Sequence, residues 1–310
     1  RHMVYTAVSA AGANGFLGSR LTDALVAAGH EVTAFDRFSR GTRAFSSTDL
    51  TVVAGDFLSV ADLAAVVSGQ EYVFHFLSTT TPATVDADPT IDLRTNVQQS
   101  VELLALCARA GIHRLFYASS GGAIYGPQPG ATFVEDAPAA PVSPYGIGKL
   151  AVERYIDYYA ATAGLAAVSL RISNPYGANA NPSKRQGVIP ITLNRILRAE
   201  PIVQLGDGSM IRDYIHVDDL IRRILRMVES EPRHRVYNLG SGQGTSVAEV
   251  LATVRDVVGR DFPVRTAPKP ATFVDHVVLD VSRFVEEFGA DDDLSLTEGI
   301  ARTWMEMTTA

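Results

Sequence analysis

The chain has 310 residues, enough for one large or two modest domains with a well-buried core, and its 46% hydrophobic and 20% charged residues describe a globular protein. A net charge of −7 and an isoelectric point near 5.5 argue against nucleic acid or anionic membrane as the main partner, while leaving local Arg and Lys free to bind a small phosphorylated ligand. Cys107 is the only cysteine, which excludes an internal disulfide framework and a thiolate metal cluster and points to a reducing cytoplasm; no metal site is expected.

Arg1-His2-Met3 reads as an expression remnant ahead of a start at Met3, with no signal peptide after it. No apolar run approaches the roughly 18 residues that cross a bilayer. Val4 to Ala10 is a short apolar, β-branched run, followed by Ala11-Gly12-Ala13-Asn14-Gly15-Phe16-Leu17-Gly18 and a helical stretch to about Ala28. Strand, glycine turn and helix make a phosphate cradle. Gly12 permits the tight turn, Gly15 lets backbone N–H groups approach a pyrophosphate, and Gly18 lets the helix pack on the strand. The helix N-terminus then faces the anion. Glu31 to Phe35 forms a second strand, and Asp36 at its end is placed to accept hydrogen bonds from adenosine ribose hydroxyls. Arg37, Arg40 and Arg43 leave NADP open, but the Asp36 carboxylate repels a 2′-phosphate, so NAD is the expected cofactor.

Thr51 to Ala54, Tyr72 to Leu77 and Arg114 to Ala118 continue as strands, separated by helical stretches near Val60 to Ser68 and Pro89 to Ala110. The alternation predicts an α/β fold with a doubly wound parallel sheet of the Rossmann kind, whose ligands bind beyond the C-terminal strand ends. Gly55-Asp56-Phe57, His75-Phe76-Leu77-Ser78 and Ser119-Ser120-Gly121-Gly122 fall there. Asp56 is placed for the adenine and the others for the nicotinamide side, with His75 read as a satisfied, half-buried strand histidine.

Ser143-Pro144-Tyr145-Gly146-Ile147-Gly148-Lys149 opens a long helix to about Ala163. Tyr145 and Lys149 project from one face, one turn apart. An ammonium near a phenol favours the phenolate and lowers a pKa that is otherwise about 10. Ala166 to Ile172 is the next strand, ending at Ser173-Asn174-Pro175-Tyr176-Gly177, and the polar stretch 178–187 reads as a loop leaving the first domain. A helix near Pro190 to Ala199, a strand at Ile202 to Leu205 and the turn Gly206-Asp207-Gly208-Ser209 follow. Arg212-Asp213-Tyr214 then leads to Asp218, expected to cap a helix reaching about Val228. A strand at Val236 to Leu239, a helix near Val247 to Val258 and an amphipathic helix from about Ser295 complete the chain. The expected division is a dinucleotide-binding domain over 4–173 and a smaller, mainly substrate-binding lobe over 174–310, with segments near 213–239 returning to the first.

The order of these motifs resembles the extended short-chain dehydrogenases/reductases, in the NAD-dependent epimerase/dehydratase family that acts on nucleotide-diphosphate sugars. The carriers are the glycine turn, Asp36, Asp56, Ser119 to Gly126, Tyr145 with Lys149, Asn174 to Gly177, and Gly206-Asp207-Gly208 leading into Arg212-Asp213-Tyr214. The implied activity is C4 epimerisation of a UDP-hexose, as in the UDP-glucose 4-epimerases. The resemblance implies Tyr145, Lys149 and a serine, Ser120, as catalytic. It implies cofactor contacts from Gly12, Asn14, Gly15, Phe16, Leu17, Gly18, Asp36, Arg37, Asp56, Phe57, Phe76, Leu77, Ser78, Asn96 and Ser119, as well as from the Tyr145–Lys149 pair. Gly121, Gly122, Asn174, Val188, Arg212 and Lys269 are the implied substrate contacts. It also implies a homodimer through helices Pro89 to Ala110 and Pro144 to Ala163.

Three departures stand out. The family's catalytic Ser or Thr falls on Gly121, four residues before Tyr125, leaving Ser120, Ser119, a water or a substrate hydroxyl to substitute. The dehydratase's Thr-Asp-Glu is absent. Only Lys269 offers a positive charge where relatives present an arginine to the diphosphate, and a lysine is a point charge rather than a bidentate fork. Two alternatives remain open at this level: an NADP-dependent 4-ketosugar reductase, suggested by Arg37 and Gly121, and a non-catalytic dinucleotide sensor.

Overall fold

A computed structural model describes residues 13–39, 41–77, 87–130, 132–179 and 187–309, together with the backbone of 2–6. The chain opens with strand β1 (His2–Thr6), helix α1 (Phe16–Ala27), β2 (Glu31–Asp36), β3 (Thr51–Ala54), α2 (Val60–Val67) and β4 (Tyr72–His75). A short helical turn (Pro89–Asp92) and a π-helical turn (Leu93–Val97) then lead into α3 (Gln98–Ala110). The sequence predicts one uninterrupted helix over this stretch. The π-turn places one extra residue in it, and such bulges re-aim the side chains beside them.

After β5 (Arg114–Ser120) and the single turn Gly121–Ile124 comes α4 (Pro144–Ala163). Its start is fixed by sequence chemistry: the Ser143 hydroxyl accepts the Gly146 amide at 3.1 Å, and Pro144 occupies the first turn, where no N–H is needed. It stops at Gly164, whose φ of 65° suits a residue without Cβ. Strand β6 (Ala167–Ile172) follows. The second half contains β7 (Asn174–Tyr176), α5 (Val188–Leu197), β8 (Ile202–Leu205), β9 (Ile211–His216), α6 (Val217–Val228) and β10 (Val236–Leu239). It ends with β11 (Gly244–Ser246), α7 (Val247–Val258), β12 (Val264–Ala267), β13 (His276–Val277), α8 (Ser282–Phe288) and α9 (Leu296–Thr309).

Seven strands form one parallel sheet in the order β3-β2-β1-β4-β5-β6-β10. Parallel strands require crossovers, and the helices of those crossovers cover both faces. On one face Leu21 and Leu25 of α1 share a core with Leu220, Ile224 and Met227 of α6. On the other, Leu63 of α2, Leu103 and Cys107 of α3, and Val152 and Ile156 of α4 close the second layer. Burial pushes the Cys107 thiol pKa well above its usual range, so it behaves as a core hydrophobe. The strand order reverses between β1 and β4, which opens the crevice at their C-terminal ends.

A smaller lobe packs beyond that edge. It carries a sheet of β11, β9 and β13, with β7 added to β9, a β8–β12 pair, and a core built on Ile189, Leu193, Val250, Leu251 and Ile300. The α6 helix and β10 lie in the first domain, β10 pairing in register with β6 (Leu239 with Ile172). The cap of α6 is His216, not Asp218: its Nδ1 accepts the Asp218 amide at 3.1 Å, while Asp218 stands in the first turn, where its charge suits the helix dipole. Among the described residues no helix is long and apolar enough to cross a membrane, and no three His, Cys, Asp or Glu side chains group as a metal site.

Candidate active site

Helix α1 begins at Gly15 with no side-chain cap and no acidic residue in its first turn, so its leading amides and positive end are left for an external anion. Phe16 and Leu17 turn their side chains onto the core, and Gly18 is buried against it, so contact with a ligand here falls to backbone. Asp36 lies almost fully buried at the end of β2, its two oxygens accepting the amides of Asn14 and Phe38, each at 3.1 Å. The Asn14 side chain fastens the neighbouring loop, donating to Thr42 O at 2.7 Å and accepting the Ala44 amide at 2.5 Å. Arg37 is exposed and has no ion pair among the described residues. This donor set fits a dinucleotide, with open helix amides for its pyrophosphate and a carboxylate where a 2′-phosphate would be repelled. Gly12, Arg40 and Ser78 lie outside the described residues.

Further along the edge, Asp56 organises its own turn. Its carboxylate accepts the Leu58 amide at 2.9 Å, and its amide donates to Asp62 Oδ2 at 2.9 Å. Phe57 is buried with its ring 5.4 Å from that of His75, and Phe76 and Leu77 fill the two opposite cores. Backbone atoms, not the rings or the leucine, remain available at these three positions. His75 is buried rather than half-buried. Its Nε2 pairs with Ser100 Oγ at 2.7 Å, Nδ1 has no partner among the described residues, and burial, followed by the charge of Lys149, lowers its pKa to about 3. It is a neutral imidazole.

Tyr145 and Lys149 face the ends of β4 and β5 from the first turns of α4. Lys149 folds inward, its Nζ donating to Ala118 O at 2.8 Å and standing 5.6 Å from the Tyr145 ring centre and 5.1 Å from that of Tyr117. Burial lowers its pKa to about 8, opposed by Asp92 and then Glu153. Tyr145 moves the other way, up to about 12, through burial and then Asp92. The expectation that Lys149 lowers the phenol's pKa is therefore not met in the protein alone. Desolvation and a neighbouring carboxylate both disfavour the phenolate.

The serines divide. Ser119 Oγ donates to the buried Glu153 Oε2 at 2.6 Å and so turns its side chain away from the edge. Ser120 Oγ has no hydrogen bond among the described residues. At Gly121 a Cβ would lie 2.5 Å from Leu279 Cδ1 and 3.0 Å from Arg171 O, so the space a catalytic hydroxyl would need is filled by Leu279. At Gly122 a Cβ would meet nothing nearer than Ser120 Oγ at 3.9 Å.

Across the edge, Asn174 Nδ2 donates to Asp213 O at 3.2 Å, which ties β7 to β9. Arg212 donates to Ile211 O at 2.8 Å and has no ion pair among the described residues, neither to Asp213 nor to Asp207. Burial lowers its pKa, with Tyr214 and Asp275 favouring the charged form. Lys269, in contrast, is paired with Asp275. Val188 opens α5 and packs on the small-lobe core. Asp213 is buried and accepts the amides of Ser241 at 2.8 Å, Gly242 at 3.1 Å and Leu279 at 3.3 Å. One carboxylate therefore links the arginine's strand to the segment lying over Gly121.

Sequence reasoning passes over Asp92, Asn96 as its partner, Gly148, Glu153 and Leu279. Asn96 Nδ2 donates to Asp92 Oδ1 at 2.7 Å, and a Cβ on Gly148 would lie 1.8 Å from Asp92 Oδ2. The only signals in the sequence are the four-residue spacing of Asp92 and Asn96 and a glycine inside a helix.

The family model described as "NAD dependent epimerase/dehydratase family" matches residues 9–240. A UDP-glucose 4-epimerase of Mycolicibacterium smegmatis is 32% identical over 299 residues, 94% of this chain and 95% of that protein. One from Streptomyces lividans is 35% identical over 273 residues, 83% of each. Among solved structures, the UDP-glucose 4-epimerase of Thermus thermophilus in complex with NAD superposes with a TM-score of 0.91 at 28% identity, covering 100% of both chains. That of Thermotoga maritima with UDP-glucose gives 0.92 at 29% identity, covering 100% of this chain and 99% of the other.

Proposed function

The chain belongs to the NAD-dependent epimerase/dehydratase family, and from that membership we propose that it interconverts the C4 epimers of a UDP-hexose of the glucose/galactose type. One observation carries the reading: the strand edge presents a phenol backed by a lysine, Tyr145 and Lys149, and only Gly121, Gly122 and Ala123 where elimination of water would need an acid and a base. The α1 amides, Asp36 and Lys149 would hold NAD, which would supply reversible hydride acceptance from the sugar carbon. Tyr145 takes the proton of the 4-hydroxyl and returns it after the 4-keto sugar has turned over. Ser120 Oγ is free to bond the sugar oxygen, in the role that Gly121 cannot fill. The open space around Gly122 accommodates a ring that must present either face. Arg212, without a carboxylate partner among the described residues, offers its fork to the diphosphate, and Asn174 stands on the adjoining strand. Lys269 reaches the diphosphate only by exchanging Asp275 for it.

The same reading includes a homodimer. Leu93 ahead of α3, and Ile147, Tyr155 and Tyr158 of α4, are 43–55% exposed on the two helices expected to pair.

Incubation of the purified protein with UDP-galactose, and separately with its N-acetyl and uronic forms, tests the activity. A C4 epimer from at least one supports it. No epimer from any, or net NADPH consumption with a 4-keto sugar, replaces it with another reaction.

A further inference from the structure

Beneath the Tyr145–Lys149 pair lies a buried carboxylate that the reaction as described does not use. Asp92 is 3% exposed and sits at the junction of the short helical turn and the π-turn that precedes α3. Its Oδ1 accepts Asn96 Nδ2 at 2.7 Å, and its Oδ2 occupies the volume that any side chain at Gly148 would take. With Leu77, Tyr117, Tyr145 and Lys149 it lines a cavity of about 10 Å³, about the size of one water. Asp92 therefore shares one small cavity with both members of the pair.

The charges around it are few. From β5, Tyr117 is held protonated by burial, and from β4, His75 is neutral. From α4 come Tyr145, Lys149 and Glu153, and Glu153 is already engaged by Arg171 at 2.8 Å. Arg94, in the π-turn itself, is exposed and paired with Asp88 at 2.9 Å. Lys149 therefore has two carboxylates near it, Asp92 across the shared cavity and Glu153, and the second is tied to Arg171.

We propose that Asp92 is a positioning residue for the Tyr145–Lys149 pair: seated in the notch at Gly148, its carboxylate is the counter-charge that keeps the lysine charged and the phenol able to take its proton back. A reversible epimerisation needs this balance. A phenol too acidic gives up the proton readily but returns it poorly to the keto oxygen, and a neutral lysine no longer supports the phenolate. The inference rests on the epimerase reading for its meaning in catalysis, and on the shared cavity and the Gly148 notch for the placement.

Removing the carboxylate's charge lowers the proton affinity of both neighbours, because it destabilises the ammonium and relieves the phenolate. In Asp92→Asn both limbs of the kcat–pH profile should move to lower pH, by about 1 unit, with KM little changed. Activity above the alkaline limb should fall roughly tenfold. Gly148→Ala, which pushes the carboxylate out of its notch, should shift the profile in the same direction. Titration of ¹³C-tyrosine and ¹⁵N-lysine signals in the cofactor-free protein, assigned by Tyr145→Phe and Lys149→Arg, reads the same two groups without turnover. Acidward movement of both signals in Asp92→Asn supports the proposal even if the protein epimerises no UDP-sugar tried, in which case only the functional reading fails. A kcat loss uniform across pH, with unmoved tyrosine and lysine titrations, overturns it.

Discussion

Glutamate 153 holds the other side of the catalytic helix, and its replacement by glutamine gives a sharp test of how the site is supported. Its side chain is 3% exposed and that of Arg171 is 5% exposed. Arg171 Nη2 donates to Glu153 Oε1 at 2.8 Å and Nε donates to Oε2 at 3.2 Å, while Ser119 adds a bond to the same carboxylate at 2.6 Å. Glu153→Gln keeps the volume and deletes the charge, so it leaves a buried guanidinium without its counter-charge, bonded to the one remaining glutamine oxygen, the Tyr125 hydroxyl at 3.1 Å and Glu135 O at 3.0 Å. Removing one partner of such a pair costs about 3–5 kcal/mol. One feature works against this figure: the pair borders a polar cavity of about 500 Å³, lined also by Arg154, Asp157, Arg235 and Arg283, through which water can reach Arg171. We therefore expect the lower end, about 3 kcal/mol, seen as a fall of roughly 1 M in the urea midpoint. The double variant Glu153→Met with Arg171→Met should recover at least half of that loss, since no charge is then left unpaired. A loss below about 1 kcal/mol in Glu153→Gln would show that cavity water, and not the carboxylate, satisfies Arg171, and would refute the reasoning.

Two further outcomes follow from buried groups near the site. Gly121→Ser should destabilise by about 1–3 kcal/mol through the clash with Leu279, and Leu279→Ala should remove that increment in a double-mutant cycle of urea midpoints; full additivity would contradict the assignment. His75 binds its proton near pH 3 when folded against about 6.5 in the unfolded chain. Its contribution to stability is therefore complete above pH 6.5 and is lost as pH falls toward 3, by about 5 kcal/mol at most. His75→Asn should flatten the dependence of urea stability on pH between 6.5 and 4, and an unchanged slope would remove His75 as the cause of acid lability.

The architecture was legible because its signals are local. The run from Glu31 to Phe35 and the helix opening at Pro144 each write their element into a few neighbouring residues, and the alternation of strand and helix leaves few topologies. The same holds for Tyr145 and Lys149, whose spacing alone puts them on one helix face. What stayed hidden depends on contacts between distant segments. Nothing near Gly121 in sequence announces Leu279, and nothing near Lys149 announces Asp92, which shares its cavity where Gly148, without a Cβ, makes way. The direction of the Tyr145 shift was hidden for the same reason: the sequence shows the ammonium, whereas the fold adds burial and a carboxylate. Ser119 and Ser120 are adjacent, and only the position of Glu153 decides which hydroxyl is left at the edge.

In the proposed reaction the sugar is oxidised at C4 and the same hydrogen is returned to it, with Tyr145 managing the proton. Its most direct test is turnover of UDP-galactose deuterated at C4 by the protein as purified with NAD, followed by mass spectrometry and NMR of the product. The account predicts the C4 epimer with deuterium retained at C4, and its loss in Tyr145→Phe by a factor on the order of 10²–10⁴. An epimer whose C4 hydrogen has exchanged with solvent, or a Tyr145→Phe variant as fast as the parent, would contradict it.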